Sequence, residues 1–460
     1  MKETVMSKLP LEGVRIIDST YVIAMPYACG IMTDLGAEVI KIEGIQHPDR
    51  TPAMDAQPDN NGGDDPFNRG SSFNQRNRGK RSLTLDLSQD EGREAFKELV
   101  KISDIVVENY TPRVMRRWEL EYSDLKKIKP DIIMLSNTAY GHGNGPYSNY
   151  PGQATTMEGI HGLTAITGYL DDIPSKAGAS YVDFVSTWNG LLAVATALRY
   201  RNKTGKGQWI DLGMYQAGCF FNSEYMLDYI ANDRENRRIG NRHPSRAPQG
   251  CYPCKEEDTW CTLSVGDDQE WHALCQEIGK PELVDDPRFA TLLERQQHHD
   301  ALDETIAKWS VTMDKFEMME RLQSAGVPAG ALFTSKDANL SPHYWNRGFL
   351  EKLTWPPERD MGTRVLMGRP WQLSKTPLSI REGVHPFGQD NRSILQGLLD
   401  YSDAHIAELE QSQVIGDRPI VARYRDSGPP PPPMPAGTPP PQRGNFEVSY
   451  DPDYKKLLGI

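Results

Sequence analysis

Val14-Arg-Ile-Ile-Asp18, then Tyr27 to Leu35, then Glu38-Val-Ile-Lys-Ile-Glu43 is the stretch on which the reading of the fold turns. The first and third pieces are short apolar runs of β-branched residues, the pattern of strands buried on both faces. The middle piece reads as a helix stopped by Gly36, the residue that most easily takes the left-handed conformation at a helix end. Strand, helix and strand make a βαβ unit. The alternation continues with a helix from Gln89 to Lys101, a strand Asp104-Ile-Val-Val-Glu108, a helix Pro112 to Trp118 and a strand Asp131-Ile-Ile-Met-Leu135. Such alternation predicts an α/β fold whose large domain is a Rossmann-like parallel sheet covered by helices on both faces.

Working outward, Gly44 to Gln75 is polar and rich in Gly, Asn and Asp, too long for an ordinary connection, and reads as an ordered functional loop or a partner-wrapping arm. Phe184 to Asn202 is strongly helical, Lys203 to Gly207 a turn, Gln208 to Leu212 a strand and Met214 to Ala231 a further helix. The pattern then changes to a hairpin, Tyr252 to Val265, followed by helices near Asp268–Ile278, His299–Trp309 and Asp314–Ser324. The expected organisation is a large domain over residues 1–230, a smaller inserted α+β domain over 231–326, a return to the large domain over 327–425, and a proline-rich tail over 426–460. Val327–Phe333 reads as the returning strand, Phe349–Leu353 and Arg364–Met367 as two more, and Asp390–Leu398 as a helix. Gly428-Pro-Pro-Pro-Pro-Pro433 and Pro439-Pro-Pro441 favour polyproline II.

With 460 residues, 38% of them hydrophobic and 25% charged, the chain has the composition of a soluble protein of two domains. A formal charge of −12 argues against a general nucleic-acid binder, which needs a basic face. The apolar run Gly190 to Leu198 is too short to span a bilayer, and Leu11-Glu12-Gly13 interrupts any secretory core. A cytoplasmic location without nucleic-acid or membrane partners is expected. Six cysteines form no disulfide framework. Cys251-Tyr-Pro-Cys254 lacks the second close pair of a structural zinc site, so no metal is expected and these thiols read as small buried hydrophobes.

The first strand–helix turn, Ser19-Thr-Tyr-Val-Ile-Ala-Met-Pro26, has no glycine before Gly30, so it is not the Gly-x-Gly-x-x-Gly of a dinucleotide site. That disfavours a nicotinamide dehydrogenase, although Glu43 stands where a ribose-binding acid would. Phosphate loops, zinc His-Glu-x-x-His and serine elbows are absent too. What remains is a group of segments at strand ends: Asn77-Arg78-Gly79-Lys80-Arg-Ser82, Asn109-Tyr110-Thr111-Pro-Arg113 with Arg116-Arg117, Thr138-Ala139-Tyr140-Gly141, and Tyr181-Val-Asp183. The first three carry the cations, amides and backbone N–H groups that hold a polyphosphate attached to a base. Asp183 precedes the apolar helix, and as its cap it would be kept ionised by helix N–H groups and dipole. An ionised carboxylate in a pocket is a competent nucleophile toward an acyl carbon.

Together these segments resemble the class III CoA transferases, the group of formyl-CoA, carnitine and bile-acid CoA transferases that includes the α-methylacyl-CoA racemases. The resemblance runs from Leu9-Pro-Leu-Glu-Gly-Val-Arg-Ile-Ile-Asp18 through Leu35-Gly-Ala-Glu-Val-Ile-Lys-Ile-Glu43, Asn77 to Leu87, Asp104 to Asn109 and Thr204-Gly-Lys-Gly-Gln208, and resumes at Gly326-Val-Pro-Ala329 and Phe387 to Arg392. It implies CoA transfer between carboxylic acids, with Asp183 as nucleophile. CoA contacts would fall on Val22, Ile23 and Ala24, on Asn77 to Lys80, on Asn109 to Thr111, on Arg117 and on Thr138 to Tyr140. Acyl-CoA and a small carboxylic acid would be the substrates, with no tightly bound cofactor and an interlocked homodimer as the working form.

Ile23 and Gly44 depart from the formyl enzyme, which has a glutamine and a CoA-binding arginine there, and its glycine-rich flap is replaced by Gly240 to Gly250. The overall pattern is nearer the carnitine and bile-acid branch. The racemase branch is the alternative within the same fold. It needs a histidine base about thirty residues before the aspartate, and that count reaches Gln153, which cannot take a proton; His142 and His161 lie off the position. The reading of the cysteines generates one expectation: protein purified without added metal contains no stoichiometric zinc by elemental analysis. Near-equimolar zinc that disappears in Cys251→Ser would make the cysteine pair a metal site.

Overall fold

The computed structural model describes residues 9–54, 56–143, 145–178, 181–420 and 451–460. The proline-rich runs at 428–433 and 439–441 lie outside the described residues. The chain divides into two compact units, one of residues 1–162, 178–224 and 342–460, the other of residues 163–177 and 225–341.

In the first unit, β1 (Arg15–Ser19), β2 (Glu38–Glu43), β3 (Arg81–Thr84), β4 (Ile105–Glu108), β5 (Ile133–Thr138) and β6 (Trp209–Gly213) form one sheet in the order β3-β2-β1-β4-β5-β6. Every pairing is parallel. Strand residues alternate between two cores, as a period of two requires. Ile17, Ile40, Ile42, Leu83 and Val106 enter one, with Phe96 and Leu99 from the helix Asp90–Lys101. Ile16, Val39, Ile105, Val107, Ile133 and Leu135 enter the other. Against the second core lie α1 (Ala24–Asp34) and the long helix α2 (Tyr181–Thr204), which supplies Val194, Ala197 and Leu198. They cross closely at Gly190, where a Cβ would stand 2.9 Å from the Met25 methyl. The strand order reverses between β1 and β4, and at such a reversal the connections leave in opposite directions and open a crevice beyond the carboxyl ends of the strands.

Beneath that crevice lies a buried charge network. The Lys80 ammonium sits 2.5 Å from Asp18 and donates to Pro26 O and Asn77 Oδ1, each at 2.8 Å. Burial pulls the Lys80 ammonium below its ordinary value against the pull of Asp18. Lys41 donates to Thr20 O at 2.9 Å, and although burial opposes its charge, Glu43, Asp49 and Asp18 hold its pKa above the ordinary lysine value. The Arg78 guanidinium bonds Asp34 at 2.7 Å, and Arg369 joins the same carboxylate at 2.9 Å.

Within the segment 44–75, Arg69 donates to Arg359 O at 3.0 Å, and Asp59 pairs with Arg364 at 2.7 Å. Strands β10 (Leu350–Thr354) and β11 (Thr363–Met367) pair antiparallel. At the end of the chain, Lys352 donates to Gly459 O at 3.0 Å.

In the second unit, β7 (Gln249–Pro253), β8 (Trp260–Ser264) and β9 (Ala329–Ala331) make a three-stranded antiparallel sheet. Helices Asp268–Glu277, His299–Ser310 and Lys315–Ser324 complete a core of Tyr252, Cys261, Trp271, Cys275, Leu302 and Ile306. Three sequence readings need correction. The strand expected over 327–333 pairs with β8 and stays in this unit, which extends to Ser341; a strand's periodicity carries no record of which sheet it joins. The helix expected over 214–231 is two, Met214–Phe221 and Ser223–Asn232. Between them the side chain of Asn222 turns inward to donate to His161 O at 3.1 Å, with its Oδ1 3.2 Å from His161 Nδ1. Finally, the helix bearing Asp183 begins at Tyr181, so Asp183 lies inside its first turn and is not its cap.

Lys80→Met leaves Asp18 charged and unpaired in the interior and is expected to lower the unfolding free energy by about 3–5 kcal/mol. The double variant Asp18→Asn/Lys80→Met should recover most of this. Urea unfolding checks both, and a single-variant loss below ~1 kcal/mol would mean that water relaxes around the residual charge.

Candidate active site

The turn after β1 is built under strain. Val22 has φ +73°, a left-handed conformation that costs a β-branched residue energy and persists only when neighbours enforce it. Here they do. The Asn109 side chain, from the end of β4, accepts the Tyr21 N–H at 2.9 Å and donates to Tyr21 O at 2.8 Å. On the other side the Val22 N–H donates to Asp49 Oδ2 at 3.2 Å. Asp49 is held in turn by the Thr51 N–H and hydroxyl, at 2.9 and 2.6 Å. The Val22 side chain is consequently half exposed over the crevice between β1 and β4.

Tyr110 stacks edge-on against Tyr21 and Trp118, at 5.5 and 5.2 Å between ring centres, and burial pushes its phenol up to about 12. Thr111 precedes the helix Pro112–Arg117, whose last residue, Arg117, is exposed. At the end of β5, Thr138 Oγ1 accepts the Gly141 N–H at 2.9 Å, and Ala139 O accepts the Tyr215 N–H at 2.8 Å. The Tyr140 ring lies among Tyr147, Tyr150 and Tyr215, with centres 5.7, 6.3 and 6.0 Å away.

Asp183 faces this turn from α2. Its carboxylate takes the backbone N–H of Ala24, the first residue of α1. The Thr187 hydroxyl, one turn further on, lies 2.7 Å from Ala24 O and fixes the two helix starts together. The nucleophile candidate is therefore served by the N-terminus of a different helix from its own. Burial pushes the Asp183 carboxyl up to about 6; Arg76 and the Ala24 N–H pull it down, and Glu158 pushes it further up. At neutral pH such a group is ionised yet more basic than an ordinary aspartate, the balance an activated carboxylate nucleophile needs.

Among the sequence-predicted residues, Asp183, Val22, Ile23 and Ala24 come together, and Asn109 with Tyr110 supports the same turn. Asn77, Arg78 and Lys80 do not present their side chains to the crevice: all three are buried, with their polar groups engaged inside the protein. Gly79 is locked between, with φ +70° and a Cβ position only 2.5 Å from Thr33 Oγ1. Gln153 precedes the helix Ala154–Ile160, its N–H donating to Thr156 Oγ1 at 3.1 Å. Sequence reasoning missed Arg76, Glu158 and Asp49. Arg76 directly precedes the segment beginning at Asn77, so only a wider window was needed; Glu158 and Asp49 carry no local signal. Cys254, Cys261 and Cys275 are packed in the second unit's core. Among the described residues, no helix is long and apolar enough to cross a membrane.

The model of CoA-transferase family III matches residues 11–391. The chain is 30% identical over 407 residues to the succinyl-CoA–D-citramalate CoA-transferase of Chloroflexus aurantiacus, covering 88% of this chain and 98% of that one. It is 34% identical to the acetyl-CoA:oxalate CoA-transferase of Acetobacter aceti, covering 76% and 88%, and 31% identical to the mouse succinyl-CoA:glutarate CoA-transferase, covering 89% and 91%. Among solved structures, a CAIB/BAIF family protein from Brucella suis superposes with a TM-score of 0.75 at 28% identity, covering 85% of this chain and all of that one. An α/β chain with this sheet order, matched along most of its length by a family and by relatives that transfer CoA, belongs to CoA-transferase family III.

Proposed function

We propose that this enzyme moves CoA from an acyl-CoA donor to a carboxylic acid through covalent intermediates on Asp183. The observation that carries the reading is the Asp183 carboxylate itself, buried, raised to about 6 and held by the Ala24 N–H at the strained β1 turn. A carboxylate oxygen attacks the donor thioester carbon, and the C–S bond breaks to give an acyl-aspartyl anhydride and the CoA thiolate. The thiolate attacks the Asp183 acyl carbon, the donor acid leaves as its carboxylate, and an aspartyl-CoA thioester remains. The acceptor carboxylate reverses both steps. Thioester energy is conserved throughout, so the protein's work is positioning and stabilisation of developing oxyanions by N–H groups.

In this reading CoA lies over Val22, Ile23 and Ala24, between Asn109–Thr111 and Thr138–Tyr140, with Arg117 reaching a phosphate. Asn77, Arg78, Gly79 and Lys80 form the wall beneath. The acceptor is a small dicarboxylic acid, the class named in relatives that act on succinate, glutarate and oxalate. No tightly bound cofactor takes part. Six free thiols suit a reducing, cytoplasmic setting. The working form is an interlocked homodimer in which the small unit is an insertion in the large one. Leu192, Phe220, Leu227 and Ile230, each at least 60% exposed, would be covered by a second copy of the chain.

Donor acyl-CoA alone should load the enzyme, hydroxylamine should convert the activated carboxyl to a hydroxamate, and peptide mapping should place it on Asp183. Asp183→Asn should abolish turnover with the fold intact; hydroxamate found only on another acid, or near-parent turnover in the variant, would defeat the assignment. Loading should fall about tenfold per pH unit below about 6, because only the ionised form attacks. The folded carboxyl binds its proton more tightly than the unfolded one, so its contribution to stability is lost as pH rises from about 4 toward 6. Asp183→Asn should accordingly gain up to roughly 3 kcal/mol over the parent at pH 7, and almost nothing by about pH 3.

Removing a charge-assisted phosphate contact costs about 1.5–3 kcal/mol. Arg117→Ala should raise KM for the acyl-CoA donor correspondingly while leaving KM for the acceptor acid unchanged. An unaltered donor KM would take Arg117 out of the site.

A further inference from the structure

A second carboxylate stands at the start of the helix that carries Asp183. Glu158 is fully buried. Its Oε1 accepts the Tyr181 N–H at 2.9 Å, in the first turn and two residues before Asp183. Its Oε2 is buried with no hydrogen-bond partner among the described residues. A buried carboxylate with an unsatisfied oxygen is destabilising, and a helix start that needs only an acceptor is served equally well by a neutral group.

The surroundings limit what else Glu158 answers to. Asp183 feels Arg76 from the helix Ser71–Asn77, the Ala24 N–H from α1, and Glu158. Three residues on from Glu158, His161 is turned to Asn222, and Gly218 lies against its ring, where a Cβ would stand 2.2 Å from an imidazole carbon. The helix Met214–Phe221 brings Tyr215 and Cys219, which bond each other. Arg76 is thus the cation that faces Asp183, and Glu158 the anion that opposes it.

We propose that Glu158 is a positioning residue whose charge drives Asp183 toward its acylated, neutral form. The inference rests on Asp183 being the nucleophile. In the free enzyme two buried carboxylates repel. When the Asp183 oxygen attacks the thioester carbon, the electron pair of the broken C–S bond leaves on the CoA sulfur; when the thiolate attacks the resulting anhydride, the pair of the broken C–O bond leaves on the donor acid. The net step converts enzyme carboxylate and acyl-CoA into aspartyl-CoA thioester and free carboxylate. One of the two facing charges has left with the product acid, and the repulsion with it. Glu158 therefore raises the free enzyme relative to the covalent intermediate and keeps the attacking oxygen basic, while its Oε1 holds the helix start in place.

The test compares the parent, Glu158→Gln, Glu158→Asp and Asp183→Asn, each incubated with succinyl-CoA and a range of succinate concentrations, quenched, and analysed by mass spectrometry at several pH values. Glu158→Gln keeps an acceptor for the Tyr181 N–H and removes the charge. Its loading equilibrium constant should fall about tenfold, and the acidic limb of loading should move down by about one pH unit. Glu158→Asp retains the charge and should stay within about threefold of the parent. Unchanged loading and an unchanged limb in Glu158→Gln, or equal losses in both Glu158 variants, would overturn the proposal. Where Glu158→Gln does not fold, Glu158→Asn removes the charge and keeps an amide acceptor, and it is read against Glu158→Asp, which has the same length. Failure of the parent to load at Asp183 would instead overturn the nucleophile assignment, so the two failures are distinct.

Discussion

The pair of hydrogen bonds between the Asn109 side chain and the Tyr21 main chain is the constraint from which the site follows. Asn109 leaves β4 and Tyr21 leaves β1, the two strands between which the sheet reverses its order. By closing the two strand ends on each other, Asn109 fixes the turn and, with Asp49, holds Val22 in a conformation it would not adopt alone. The strain sits where the chain must change direction abruptly from strand to helix. Its product is the placing of Ala24, whose N–H reaches the carboxylate of Asp183, far along the chain.

The buried ions beneath the turn extend the same logic. Lys80, Lys41, Arg78, Asp18, Glu43, Asp49 and Asp34 all lie in the interior. Taking such groups from water is expensive, and their mutual attraction only repays it when every donor and acceptor is met. Lys80 meets that condition with Asp18, Pro26 and Asn77. The network ties α1 to the segment after the helix Ser71–Asn77, which carries Arg76. Rigid placement of Arg76 relative to Ala24 is therefore a consequence of charges that never touch substrate.

The sheet was legible in the sequence because strands buried on both faces read as unbroken apolar runs, from Arg15–Ser19 to Ile133–Thr138. Less legible was what each charge meets. Asn77 to Lys80 resembles a phosphate-binding run in sequence, yet Arg78 finds Asp34 at 44 residues' separation and Lys80 finds Asp18 at 62. No local pattern announces such partners. The start of α2 was misplaced for a different reason: Asp183 is itself a residue type that signals a cap, yet the helix begins at Tyr181 and the N–H that Asp183 receives belongs to another helix. The break at Asn222 likewise depends on His161, brought near only by the fold.

A nucleophilic carboxylate faces two demands that oppose each other. It must be ionised at working pH, which favours cations and N–H donors around it, and it must be basic, which favours burial and negative neighbours. At Asp183 both sets are present, Arg76 and the Ala24 N–H against burial and Glu158, and the balance rests near 6. A stronger clamp of donors would leave a stable but inert carboxylate; burial without Arg76 would leave a protonated one. The energy that holds this intermediate setting comes from elsewhere in the fold, from the apolar layer of Met25, Leu135 and Val194 that packs α1 and α2 onto the sheet. A site that costs stability locally is tolerable because the helices presenting it are held by contacts that play no part in the chemistry.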